Sequence, residues 1–157
     1  MNAEIYPLEK VVVDGVSIYF GMDQSAVETA IGKGQLAGKR YYYCNNDMAI
    51  DYSDHKTVAF IEFLGGIDGS LHPVIYGVSA FDSPADALAF LHISVGVYRE
   101  TRPSDVLEMI EEMKADGIPT EDNEDIAAEM RKANHWTTIG AGAAGYYQHE
   151  SRFTGQL

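Results

Sequence analysis

The pair Asp14-Gly15 sits between two apolar runs, Val11-Val12-Val13 and Val16-Ser17-Ile18-Tyr19-Phe20. Asp-Gly in that setting is the strongest short-range signal for a chain that doubles back as a β-hairpin. More strand-like runs follow. Arg40 to Cys44 is rich in aromatics, Met48 to Tyr52 alternates, and Thr57 to Leu64 sets Val58, Phe60, Glu62 and Leu64 against Ala59, Ile61 and Phe63. Asn45-Asn46-Asp47 and Ser53-Asp54-His55-Lys56 separate them, as turns of an antiparallel meander would. Pro73 to Phe81 offers a further strand, and His135 to Ile139 reads as extended.

Helical signals lie between and after these runs. Asp23 is placed to cap a helix over 23–31 with Ala26, Val27, Ala30 and Ile31 as its apolar stripe, and Gly32 ends it. Ser83-Pro84-Ala85-Asp86 predicts a helix over 84–93. Pro103-Ser104-Asp105 opens one over 104–116, which Gly117 and Pro119 stop, and Thr120 or Asn123 caps another over 121–132. No internal repeat stands out. Gly140-Ala141-Gly142-Ala143-Ala144-Gly145 makes 140–157 either a strand closing onto the sheet or a flexible tail. At 157 residues and 46% hydrophobic, the chain is expected to be one α+β domain over 1–157. That domain would hold an antiparallel sheet of about five strands with helices packed on one face.

Charge is concentrated. Residues 104–129 hold ten carboxylates against one base, Lys114, a net of -9 in a chain whose total is -13. Such a field repels nucleic acid and anionic membrane and attracts a basic partner. At 100° per residue, Asp105, Glu108, Glu112 and Asp116 fall within about 80° of one another, while Val106, Ile110 and Met113 share another face. Acids at a helix start are favoured by the macrodipole, which accounts for Asp105 and for Glu121-Asp122, but not for Glu111, Glu112 or Asp116. The candidate partner-binding residues are therefore Asp105, Glu108, Glu111, Glu112, Asp116, Glu121 and Asp122. Trp136, beside the glycine run, is the candidate exposed aromatic anchor.

No reaction is spelled out. Asp116-Gly117-Ile118-Pro119 breaks a calcium loop, and the five histidines have no metal spacing. Gly140 to Gly145 matches a dinucleotide fingerprint in letters, but too little chain follows it. Gly34 to Arg40 is one residue short of a phosphate loop and reads as a plain loop. Tyr41 and Tyr43 are core by strand alternation. No catalytic, metal or cofactor site is expected. The N-terminus has no basic-then-apolar leader, no apolar run approaches a membrane span, and Cys44 is the sole cysteine, so the expected compartment is the cytoplasm.

Residues 18–32 carry an apolar run, Gly21-Met22, four further residues, Val27, and a helix closing on Gly32, followed by the meander. Over about residues 16–64 this resembles the SmpA/BamE-like modules and the β-lactamase inhibitory proteins. The resemblance implies a small α+β unit whose sheet face binds other proteins. It departs from both: the first are exported lipoproteins and the second are secreted with disulfides. In composition the chain is similar to bacterial immunity proteins, small acidic inhibitors of basic toxins, often nucleases. The leading expectation is thus an acidic cytoplasmic inhibitor of a basic protein toxin encoded nearby. The alternative is a small-molecule-binding or enzymatic α+β domain.

Overall fold

The computed structural model describes residues 2–88, 95–99 and 101–146. They form two sheets. The first orders its strands β3-β2-β1-β8-β9, from β1 (Asn2–Tyr6), β2 (Lys10–Val13), β3 (Val16–Tyr19), β8 (His72–Ile75) and β9 (Val78–Ser79). The second orders them β10-β11-β7-β6-β5-β4, from β4 (Gln35–Ala37), β5 (Arg40–Tyr43), β6 (Met48–Tyr52), β7 (Val58–Phe63), β10 (Val95–Tyr98) and β11 (Thr138–Gly142). The α+β class holds. The single five-stranded antiparallel sheet does not: there are two sheets, and β1 and β8 run parallel. Strand alternation gives each sheet an apolar face. Ala3, Ile5, Val11, Val13, Ile18 and Ile75 of the first join Tyr43, Met48, Ile50, Ile61, Phe63 and Ile139 of the second in one core.

The expected Asp14-Gly15 hairpin is β2–β3, with both turn residues at positive φ (47° and 80°), the geometry that matches strand twist. The expected strand over Pro73 to Phe81 is instead a second such hairpin, β8–β9, turning at Tyr76 (50°) and Gly77 (79°). The meander is β5-β6-β7. Gly34 to Arg40, expected to be a loop, contributes the edge strand β4, paired back onto β5.

Helix α1 (Gln24–Ile31) follows β3 and sends Val27 into the core. The helix expected over 84–93 appears as the 3-10 turn Ala85–Leu88, and its continuation lies outside the described residues. Helices α2 (Pro103–Ala115) and α3 (Glu124–Ala133) are not laid on a sheet face. Among the described elements they pack chiefly on each other.

The strand order exposes a repeat that the sequence hides. Hairpin β2–β3, helix α1 and hairpin β6–β7 form one series. Hairpin β8–β9, the helical turn at 85–88 and hairpin β10–β11 form another. The first hairpins of the two series flank β1 with β3 and β9 outermost. The second hairpins join where β7 pairs β11, with Phe63 opposite Ile139 and Phe60 opposite Gly142. Each series has one extra piece. In the first it is β4–β5. In the second it is α2–α3, inserted between the paired strands β10 and β11, where β6–β7 has only the turn at Ser53–Lys56.

The glycine run is built into this junction. Gly140 and Gly142 lie in β11, and a Cβ on Gly140 would run into the Phe60 ring. Tyr146 stacks on Phe60 at 4.7 Å. The beginning of 140–157 is therefore a central strand. Residues 147–157 lie outside the described residues. Gly140→Ala is expected to lower stability by about 1–3 kcal/mol, as overpacking does. Denaturant unfolding measures this, and an unchanged midpoint would contradict the close packing of Phe60 on Gly140.

Candidate functional site

The inserted helices form an acidic arm. Pro103 opens α2, and the Asp105 carboxylate accepts the backbone N–H of Arg102 at 2.8 Å, closing the first turn. Gly117 (φ 75°) ends the helix, and Ile118 N–H returns to Met113 O at 2.9 Å. Of the two caps expected for α3, Asn123 serves: its Oδ1 accepts from Asp125 N and Ile126 N at 2.9 and 3.2 Å.

Asp105, Glu108, Glu111, Glu112, Asp116, Glu121 and Asp122 are all exposed. Among the described residues none of them is in an ion pair. The pair within the arm is Lys132 with Glu129, at 3.7 Å. Burial in the arm is sparse. Val106 and Ala133 are buried, Ile110, Met113, Ile126 and Met130 are half-buried, and Leu107 and Ile118 are exposed. Asp105 differs from the rest of its stripe because capping already explains it.

Trp136 is not an exposed anchor. It is 3% exposed, its indole N–H donates to Ala85 O at 2.8 Å, and the Arg99 guanidinium lies 5.0 Å from its ring. Arg99 also donates to Ala133 O at 2.9 Å, and Asn134 O accepts from Ala85 N at 2.8 Å. Trp136 thus locks the base of the arm to the core. Its N–H needs a buried acceptor, and Ala85, 51 residues away in sequence, supplies one.

Other chemistry-bearing groups close on one another. Arg40 forks onto Asp51 at 2.8 and 3.0 Å and reaches Glu62 at 2.5 Å. Tyr43 donates to Glu28 at 2.9 Å and meets the Tyr52 hydroxyl at 2.6 Å. Burial pushes the Tyr43 hydroxyl far up and Tyr52 up to about 12. Glu28, against its partial burial, is held below the usual carboxylate range by the Gly34 N–H and Tyr43. Burial also raises the Cys44 thiol, away from the thiolate a nucleophile needs. A cleft of about 200 Å³ at the arm's base is lined by Gly66, Asp68, Thr101, Lys132, His135 and Thr137, among others. Its histidine is committed through Nδ1 to Arg131 O at 2.6 Å. No group of three or more His, Cys, Asp or Glu able to hold a metal occurs among the described residues.

One surface is not evident from the sequence pattern alone. Register places Tyr6, Lys10 and Tyr19 on one rung of the outer face of the first sheet, with Lys10 Nζ 5.3 and 5.2 Å from the two rings. Alternation of Glu4 and Tyr6 with Ala3 and Ile5 is the only trace it leaves in the sequence, over five positions. The chain matches no protein-family model, no curated protein and no solved structure.

Two outcomes are expected. Replacing residues 103–132 by a short flexible linker, with Arg99 and Trp136 retained, should reduce the helical circular dichroism to what α1 and the short helical turns contribute, yet leave cooperative unfolding and the buried tryptophan's fluorescence. Loss of cooperative folding would make the arm part of the fold. Neutralising Glu111 or Glu112 to Gln should leave stability unchanged or raise it by about 0.2–0.5 kcal/mol, because like charges repel along a helix. A clear loss would reveal an internal role for these carboxylates.

Proposed function

We propose that this chain binds a basic protein surface through the α2–α3 arm. Its role would be that of a cytoplasmic inhibitor or immunity protein, neutralising a basic toxin such as a nuclease by occluding it. One observation carries the reading: the arm is an insertion into a hairpin whose counterpart closes in a tight turn, and Glu108, Glu111, Glu112, Asp116, Glu121 and Asp122 are exposed and in no ion pair among the described residues. Clustered charge that neither caps a helix nor pairs within the fold costs stability. An opposite charge on a partner offsets that cost and steers association. The expectation drawn from SmpA/BamE-like and inhibitory-protein modules, that a sheet face binds, is a competing docking mode, and the Tyr6-Lys10-Tyr19 rung is where it would act. A small-molecule or enzymatic role has the cleft at the arm's base as its support, with one histidine already hydrogen-bonded.

Stopped-flow association with the product of the neighbouring gene tests the proposal. Raising salt from about 10 mM to 1 M should slow the on-rate by about tenfold or more, because screening shortens from about 30 Å to 3 Å. Reversing Glu108, Glu112 and Asp116 together, with the capping Asp105 left in place, should slow it further at low salt without loss of folding. A salt-independent on-rate and a silent triple reversal would remove the arm from recognition.

A further inference from the structure

His72, at the start of β8, engages both of its ring nitrogens. Nδ1 lies 2.8 and 2.9 Å from the two carboxylate oxygens of Asp82, and Nε2 lies 2.7 Å from the carbonyl oxygen of Gly69. An ionised carboxylate and a carbonyl only accept hydrogen bonds. Both contacts are therefore hydrogen bonds only when both nitrogens carry hydrogen, that is, when the ring is an imidazolium. A neutral ring has a single N–H and must turn a lone pair toward one of the two acceptors.

The segments that His72 joins are the ones that seat the arm. Gly69 belongs to the loop whose Gly65, Gly66, Ile67 and Asp68 face Lys132, His135 and Thr137 across the basal cleft. Asp82 lies three residues before Ala85, which bonds Asn134 O through its N–H and the Trp136 indole through its carbonyl. We propose that His72 is a pH-sensitive latch for the arm: the imidazolium clamps the Gly69 loop to the Asp82 turn, and the neutral ring releases one of them and loosens the arm's seat. Its consequence for docking rests on the arm being the binding surface; the latch itself does not.

From β1, Glu4 lines the same surface hollow as His72. Ser79 Oγ donates to Asp82 at 2.8 Å, and the Phe81 ring stands edge-on to the imidazole at 6.3 Å. His135 is a further titratable group near Asp82. Asp47 holds the N–H and hydroxyl of Ser70, so the loop stays tethered next to Gly69 when the latch opens. The Asp82 hydrogen bond, against partial burial, raises the His72 pKa, and the His72 hydrogen bond lowers that of Asp82. The His72 contribution is thus fully present below the unfolded value of about 6.5 and is lost as pH rises through the higher folded value. The Asp82 contribution is present above its unfolded value of about 3.9 and is lost as pH falls through the lower folded one.

The test uses the protein alone, so its outcome is separate from that of partner binding. Hydrogen-exchange protection factors of the Ala85 amide and the Trp136 indole N–H are followed from pH 5 to 9, alongside the ring nitrogen resonances of His72. In the wild type, protection should fall severalfold as His72 titrates, with a midpoint above 6.5. In His72→Gln, which cannot titrate, protection should not vary with pH. In Asp82→Asn the His72 midpoint should move down. If protection in the wild type is the same at both ends of the range, or if the ring is singly protonated at pH 5.5, the latch does not exist. The wild-type titration decides this by itself, even if either variant fails to fold.

Discussion

The antiparallel pairing of β7 with β11 joins the two halves of this chain, and the rest of the architecture depends on it. The pairing needs a flat, small-residue strand beside Phe60, which is why β11 reads Thr138-Ile139-Gly140-Ala141-Gly142. Ile139 and Ala141 face the shared core, while Gly140 leaves room for the Phe60 ring on the other side. A larger residue at 140 would force apart the strands that hold the two sequence halves in one sheet. The same pairing fixes where the connection between β10 and β11 emerges, at the end where Tyr98 opposes Thr138. The arm leaves the sandwich there.

Charge is handled differently in the two parts of the molecule. On the second sheet Arg40 is matched by Asp51 and Glu62, and on α1 beside it Glu28 is matched by Tyr43 and Gly34. On the arm, Glu108 and Glu112, and Glu112 and Asp116, are i,i+4 neighbours of like sign. Each such pair costs about 0.2–0.5 kcal/mol in an isolated helix. With Asp125 and Glu129 of α3, also four apart, the total over the three pairs is about 1.5 kcal/mol or less, tolerable in a domain stable by about 5–15 kcal/mol. Trp136, Arg99 and Ala85 hold the base, so the repulsion along the arm need not be relieved within it.

Local features were legible in the sequence. The Asp14-Gly15 turn, the meander, the cap at Asn123 and the stop at Gly117 follow from short-range chemistry. What failed was long-range. Ala3 and Ile5 alternate with polar residues over only five positions, too few to separate β1 from a frayed terminus. Gly-Val-Ser recurs at 15–17 and 77–79 after turn residues of different type, Asp14 and Tyr76, and three shared letters are too few to reveal the repeat. Trp136 could not be placed because its acceptor is Ala85, whose carbonyl every residue type shares. The acidic stripe was legible as a stripe, since exposure follows from helical periodicity. Its status as an insertion was not, because that depends on β10 pairing β11 across some 40 residues.

Native-state hydrogen exchange tests the separation of arm from sandwich most directly. Amides of α2 and α3 should exchange through a local opening of low free energy, nearly independent of added denaturant. Amides of β7 and β11 should exchange only with global unfolding, with the full denaturant dependence. If the arm and the two strands instead share one opening free energy and one denaturant slope, the arm is an integral part of the cooperative fold and not an appendage seated on it.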